Sequence, residues 1–389
     1  MKFKELYKEP SRNGLTKPSA IRGTGIKFCN MGELFANSRI GDIPMELVPV
    51  TDREMADALL EEGDLLFARQ SLVREGAGQC SVVTTVKEPT TFDSHLIRVR
   101  LNQEVANPLF YHYYFSSYLS PIPKIVTQCA QSGIRGKDLA EIDVLYLPID
   151  VQNEIAGTLS RFDLLIENNR KQIKLLEEAA QRLYKEWFID LHFPGHEDTE
   201  IDPETGLPKG WRSELLIENA TVQYGYSFNA AFFNSTGAGT PIVRIRNVQD
   251  GFSNDFTTEE FPSKYHVSNG DLLVGMDGEF YINTWVGDDA ALVQRSCRIR
   301  PRSSINEGYL KYALKPQLIA LQNGIVGATV AHLGKKHIDA MQITIPDDSL
   351  MEVFAQIEKR SSLLRHMCRM ASEARDRLLP KLIEGEVGL

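Results

Sequence analysis

Few stretches of this chain have residue types and spacing suited to making or breaking bonds. His192 and His196 stand four apart, but Pro194 and Gly195 lie between them and no third ligand is near, so the sequence predicts a linker turn, not a metal site. The carboxylate pairs Glu259-Glu260 and Asp288-Asp289 sit in turn-like contexts without a lysine to complete a nuclease centre. Gly23-Thr24-Gly25 and Gly237-Ala238-Gly239 are isolated glycine pairs, and no G-x-x-x-x-G-K-[ST] loop is present to cradle a nucleotide phosphate. Asn107-Pro108-Leu109-Phe110 is close to the Asn-Pro-Pro-Phe type of motif that holds a flipped adenine for methylation. It lacks the second proline and any preceding cofactor-binding glycine loop, so it reads as a helix start. The five cysteines are scattered without a C-x-x-C pair, which argues against zinc and disulfides and suits a reducing cytosol. No catalytic residue and no metal ligand is expected.

The chemistry that remains is that of binding polyanions and base edges. Arg22, Lys27, Arg39, Arg69, Arg74, Arg135 and Lys137 lie in or beside loops of the first half, with Gln70 and Ser132 near them. Arg244, Arg246, Lys264, Arg295, Lys335 and Lys336 do so in the second, with Asn247 and His332. Arginine and lysine reach phosphates and guanine edges, and asparagine and glutamine pair with adenine. The plain alternative for any one of them is a solvated surface charge. Arg69, Gln70, Arg74, Ser132, Arg135, Lys137, Arg244, Arg246, Asn247, His332, Lys335 and Lys336 are the candidate DNA-binding set. The net charge of −9 opposes a polyanion partner unless the basic residues are gathered locally.

These residues must be positioned by the elements around them. Residues 151–191 carry apolar positions in 4,3 alternation: Ile155, Leu159, Phe162, Ile166, Asn169, Ile173, Leu176, Ala180, Leu183 and Trp187. Such a period predicts a helix packed along a coiled-coil seam. The C-terminal stretch repeats it with Leu350, Phe354, Ile357, Ser361, Leu364, Cys368, Ala371, Arg375, Leu378 and Leu382. Neither seam can be buried alone, so the two helices are expected to pair antiparallel, with Asn169, Ser361 and Arg375 as polar intruders that fix register. The seam ends Trp187, Phe188, Leu378 and Leu382 are expected to help form a partner-docking surface.

The segments outside the helices repeat one another. Gly63-Asp64-Leu65-Leu66 matches Gly270-Asp271-Leu272-Leu273, Asn30-Met31 matches Asn247-Val248, and the strand 95–101 is echoed by 297–300. The loop 133–137 is echoed by 327–336, and residues 144–148, the end of a strand expected at 139–148, by 341–346. The sequence thus predicts an α+β protein with a pseudo-twofold internal repeat: a mixed domain at 1–147, a helical spacer at 148–191, a linker and second mixed domain at 192–348, and a second helical spacer at 349–389. From Ile155 to Trp187 a helix would span roughly 48 Å at about 1.5 Å per residue. Two readers near that separation would meet sites a turn of B-DNA (about 34–36 Å) or slightly more apart. The opening residues lack an apolar h-region, so no signal peptide is expected, and no run approaches a membrane span.

Leu207-Pro208-Lys209-Gly210-Trp211, Thr240-Pro241-Ile242-Val243-Arg244-Ile245, the Gly-Asp-Leu-Leu repeats, Leu147-Pro148-Ile149-Asp150-Val151-Gln152-Asn153-Glu154-Ile155 and the ending 374–386 together resemble a type I restriction–modification specificity subunit. The resemblance covers essentially the whole chain, although the first domain lacks the Leu-Pro-x-Gly-Trp opening. It implies two target recognition domains, each reading half of a bipartite site in double-stranded DNA, and two helical regions on which two adenine methyltransferase subunits dock. It also implies restriction subunits joining through them, and a cytoplasmic setting in a bacterium or archaeon. S-adenosylmethionine would be carried by the methyltransferase, ATP and Mg by the restriction partner, and no cofactor by this chain, which would be a non-catalytic recognition subunit. A self-contained DNA methyltransferase or nuclease, and a coiled-coil scaffold that reads no bipartite site, are the alternatives from other classes.

Overall fold

The computed structural model describes residues 1–128, 132–302, 305–324 and 331–385. Cys129, Gln131 and residues 325–330, which include the first four residues of the loop expected to echo 133–137, lie outside the described residues. The chain forms two compact units, one of Met1–Leu164 with Ser372–Leu389 and one of Leu165–Ala371. Two long helices, Ile149–Tyr184 and Asp348–Glu384, contribute to both.

In unit 1 a five-stranded sheet carries strands β1 (Tyr7–Asn13), β3 (Arg39–Ile40), β4 (Leu65–Ala68), β6 (Cys80–Val83) and β8 (Leu96–Leu101) in the order β1-β8-β4-β6-β3. Between them in sequence come β2 (Ile26–Cys29), which opens into helix α1 (Met31–Ala36), then β5 (Gln70–Ser71) and β7 (Thr90–Phe92). Strand β4 is buried on both faces, and its alternation feeds two cores. Leu65 and Phe67 join the larger cluster beneath helix α2 (Pro108–Ser116), whereas Leu66 and Ala68 join a smaller one with Leu34 and Phe92. Asn107 caps α2 by accepting the Phe110 N–H at 3.1 Å, so the helix-start reading of that motif is the one realised. Strand β9 (Ser132–Gly133) pairs antiparallel with β5, and helix α3 (Gly136–Glu141) follows.

Unit 2 repeats this plan. Strands β10 (Ala220–Tyr224), β12 (Leu272–Gly275), β13 (Ile282–Thr284) and β15 (Ser296–Pro301) form a sheet in the order β10-β15-β12-β13. Strand β11 (Thr240–Val243), leading into helix α4 (Ile245–Asp250), pairs in parallel with β14 (Ala290–Leu292), as β2 pairs with β7. Helix α5 (Glu307–Gly324) corresponds to α2, and helix α6 (Lys335–Asp339) to α3. Strand β16 (Gln342–Ile345) then pairs antiparallel with Arg212–Leu215.

The duplicated Gly-Asp-Leu-Leu has a defined job. Asp64 accepts the Glu61 N–H and Asp271 the Ser268 N–H, each at 2.7 Å, closing the turn before the central strand. Each carboxylate also holds an arginine from the neighbouring strand, Arg100 through Nε at 2.7 Å and Arg300 through Nη2 at 2.7 Å. Gly25 and Gly239 are equivalent too. Both have positive φ (110° and 88°), and a Cβ on either would lie 2.1 Å from a carbonyl oxygen, of Val48 and Thr257 respectively.

The repeat departs from the sequence reading in three places. Asn30 is the N-cap of α1, whereas Asn247 lies three residues beyond the N-cap of α4; the structural partner of Asn30 is Arg244. Matching by residue type misaligned them. The strand expected at 139–148 is absent: residues up to Glu141 belong to α3, and the rest makes one bridge, from Lys2 to Asp143. Its counterpart β16 becomes a strand because Arg212–Leu215 supplies a ladder. Finally, the seam ends are not a free docking face. Phe188 is buried against Trp211, Tyr309 and Phe354, and Trp187 packs on Phe188 and Phe354. Leu382 is buried and Leu378 half-buried in the larger core of unit 1. Large apolar side chains at the helix ends gain more by filling their own unit's core than by facing water.

Within each unit the long helices pair antiparallel. Asp163 meets Arg375 at 2.5 Å in unit 1. In unit 2 the Ile166 carbonyl meets Cys368 Sγ at 3.7 Å, and Tyr184 meets Phe354 with ring centroids 6.2 Å apart. Asn169 and Ser361 are buried in this seam.

Candidate nucleic-acid interface

In both units the central strand runs out at the same edge, and the backbone there is built the same way. Beyond β4, the Arg69 N–H donates to the His95 carbonyl at 2.8 Å, and the Arg69 carbonyl accepts the Ile134 N–H at 3.0 Å. Beyond β12, the Met276 N–H donates to the Arg295 carbonyl at 2.9 Å, and its carbonyl accepts the Leu333 N–H at 2.7 Å. Gln70 then pairs with Gly133, and Asp277 with His332. Residues 69–70, 95 and 132–135 in unit 1 therefore occupy the places of 276–277, 295 and 331–334 in unit 2.

The unit 1 edge gathers most of its expected residues. Arg69 is half-buried with Nη1 on the Ser94 carbonyl at 3.3 Å, and Gln70 is half-buried beside it. Arg135 precedes α3 and Lys137 lies within it, both exposed. Arg74 is exposed at the end of a loop whose tip, Leu72 and Val73, is also exposed. Ser132 is buried in β9 and serves the ladder, which removes it from the accessible set. His95 donates or accepts through Nδ1 with Asp93 at 2.5 Å, a pair the sequence did not single out.

The unit 2 edge uses different side chains on the same frame. Lys335 and Lys336 are exposed at the start of α6. The frame aligns Lys336 with Lys137, while Gly334 stands where unit 1 has Arg135. His332 reaches Asp277, which also holds Arg295 at 2.6 Å. Asp277 was missed because nothing local in sequence links it to residues eighteen and fifty-five positions away. Burial pushes its carboxyl up, but the hydrogen bonds from His332 and Arg295 outweigh this and hold it below the usual carboxylate range.

Arg244, Arg246 and Asn247 sit elsewhere, at the β11–α4 turn. Arg244 stacks over the Phe233 ring at 4.6 Å and lies 3.9 Å from Asp255, to which Arg246 is also bonded. Asn247 is buried, its Oδ1 accepting the Arg244 N–H at 3.0 Å, so its amide serves the helix cap and not adenine. In the wider basic set, Arg22 is held by Glu46 at 2.6 Å, Lys27 by Asp42 at 2.8 Å, and Arg39 faces Asp163 at 3.6 Å. These are internal pairs.

Burial raises the thiols of Cys29 and Cys297 to about 12, which leaves them unsuited to nucleophilic work. Among the described residues, no group of three or more His, Cys, Asp or Glu could hold a metal ion, and no helix is long and apolar enough to cross a membrane.

Residues 16–178 match the family described as the type I restriction modification DNA specificity domain. The type I restriction enzyme MjaIX specificity subunit of Methanocaldococcus jannaschii is 24% identical over 358 residues, covering 86% of this chain and 82% of that protein. The EcoBI specificity subunit of Escherichia coli is 27% identical over 199 residues, covering 49% and 42%. The fold is that of the type I restriction–modification S subunit from M. genitalium, with a TM-score of 0.53 at 13% identity over 98% of this chain and 95% of that one. With the duplicated edge and the paired helices, the chain is similar to type I restriction–modification specificity subunits.

Proposed function

We propose that this chain sets the DNA sequence specificity of a type I restriction–modification complex, unit 1 reading one half of a bipartite site in double-stranded DNA and unit 2 the other. The observation that carries this reading is the edge built twice on one backbone frame with different side chains: Arg69, Gln70 and Arg135 in one, Asp277, Arg295 and His332 in the other. A shared frame with divergent donors is what two different half-sites require, since phosphate contacts position and base contacts specify. Exposed Arg74, Lys137, Lys335 and Lys336 beside these edges suit the phosphates, and they gather positive charge locally in a chain of net charge −9.

The long helices would dock two adenine-N6 methyltransferase subunits, and through them restriction subunits. Leu363, Met367 and Met370 support this: they are exposed, and their 4,3 spacing sets them on one face of the C-terminal helix in unit 2. On this reading S-adenosylmethionine belongs to the methyltransferase, ATP and Mg to the restriction subunits, and the complex works in the cytoplasm of a bacterium or archaeon. This chain contributes affinity and register and makes no bond itself.

The test is a genome-wide map of N6-methyladenine in cells expressing a type I methyltransferase subunit, with and without this chain. A bipartite motif is expected only when the chain is present, and exchanging one recognition unit should change one half of it. No new methylation, with an active partner bound to the chain, would favour a scaffold that reads no bipartite site.

A further inference from the structure

Asp277, Arg295 and His332 come from three separate segments and meet at the unit 2 edge. The three are unevenly exposed: the side chain of Asp277 is 11% exposed, those of Arg295 and His332 68% and 65%. The carboxylate is thus a mostly buried post carrying two exposed side chains. Each of its oxygens is taken, Oδ2 by Arg295 Nη1 at 2.6 Å and Oδ1 by His332 Nδ1 at 2.5 Å. Arg295 has a second unusual property. It is one of two non-glycine residues with positive φ among the described residues, at 68°. That conformation is disfavoured for a side chain of its size, and it is held here while the Arg295 carbonyl accepts the Met276 N–H.

We propose that Arg295 is a specificity-determining residue of unit 2, reading a guanine in the major groove, with Asp277 as the residue that positions it. The guanidinium carries five N–H donors in a planar fork, and the ion pair with Asp277 occupies one, so two parallel donors remain for guanine O6 and N7. Anchoring by a buried carboxylate removes rotamer freedom before binding, which lowers the entropic cost of the contact. In unit 1 the same places hold His95 and Gln70. No arginine stands at the Arg295 position there, so the two units would not read the same base from this point of the frame.

This inference rests on the proposed bipartite reading, and the experiment separates the two. Wild-type chain, Arg295→Ala, Arg295→Lys and Asp277→Asn are each assembled with an adenine methyltransferase subunit. Methylated motifs are mapped, and binding is measured on duplexes changed one base pair at a time. Arg295→Ala should lower discrimination at one guanine of one half-site by about 10- to 100-fold, leaving the other half-site intact. Arg295→Lys keeps the charge but loses the fork and should relax the same position. It also decides the matter should the alanine variant fail to assemble. Asp277→Asn should relax that position by a smaller factor. An Arg295→Lys or Arg295→Ala complex with the wild-type motif at every position overturns the inference while leaving the bipartite reading in place. So does a uniform loss of affinity on all sequences with a shallower salt dependence, the signature of a phosphate contact. A wild-type complex that yields no bipartite motif overturns both.

Discussion

In each unit a polar side chain is buried at the same point of one helix, α2 in unit 1 and α5 in unit 2, and the two units compensate it differently. In unit 1 it is His112, 2% exposed, and in unit 2 it is Lys311, 1% exposed. His112 follows its capping residue Asn107 by the same interval as Lys311 follows Asn306, whose Oδ1 accepts the Tyr309 N–H. Lys311 spends all three ammonium protons, at 3.0 Å each, on Glu177, Glu358 and Asn283. Arg365 completes the group by bonding both carboxylates, so two cations face two anions. His112 stays neutral, since burial drives its pKa down to about 4, and its Nδ1 has no hydrogen-bond partner. The charged work in unit 1 falls instead to Asp163, which Arg375 and Tyr113 both reach at 2.5 Å. Duplication has kept the place where a polar group is buried. How its charge is balanced was settled separately in each unit, with the long helices supplying the partners.

The most severe way to break this comparison is Lys311→Met. It leaves Glu177 and Glu358 sharing Arg365 alone, and removing one partner of a buried charge group costs about 3–5 kcal/mol. Equilibrium denaturation should show that loss, and a change under 1 kcal/mol would mean the cluster is not a unit. His112→Phe, by contrast, removes no charge and should cost far less. Acid titration sharpens the contrast. The folded pKa of His112 lies below the ordinary 6.5, so the unfolded chain binds the proton first. The stability this group contributes is fully present above about pH 6.5 and is lost progressively as pH falls toward 4, by about 3 kcal/mol at most. His112→Phe should flatten that slope, and an unchanged slope would assign the acid sensitivity to other groups. The smallest effect concerns the strained edge. Arg295→Gly relieves a left-handed backbone and should stabilise unit 2 by about 1 kcal/mol, read as a small rise in Tm. A fall in Tm would mean the Asp277 pair is worth more than the strain.

Much of the frame was legible because it is periodic or local. The 4,3 alternation marked both long helices, Asn107-Pro108 marked the start of α2, and Gly-Asp-Leu-Leu marked the turn where Asp64 and Asp271 act. Errors arose where residue type stood in for position, as in equating Asn30 with Asn247, or where a strand needs a partner that sequence does not display, as at 139–148. Periodicity made Trp187, Leu378 and Leu382 apolar seam positions, with Phe188 beside them, but it says nothing of which surface covers them. The duplicated edge was only half visible for the same reason. Basic residues announce themselves singly, whereas the Asp277 post exists only once strand pairing has brought residues 277, 295 and 332 together.

Unit 1 is assembled from both ends of the chain, and Leu379 and Leu382 fill the same cluster as Ile155 and Leu159. During synthesis the first-made unit is therefore the last to be finished. The whole of Leu165–Ala371 must be translated before the pieces that close unit 1. At about 5–20 residues per second this is a delay on the order of 10–40 s, during which a nascent chain holds an open apolar surface. Unit 2, contiguous in sequence, has no such gap between its pieces. The chain's dependence on chaperones should be concentrated in the half that emerges first.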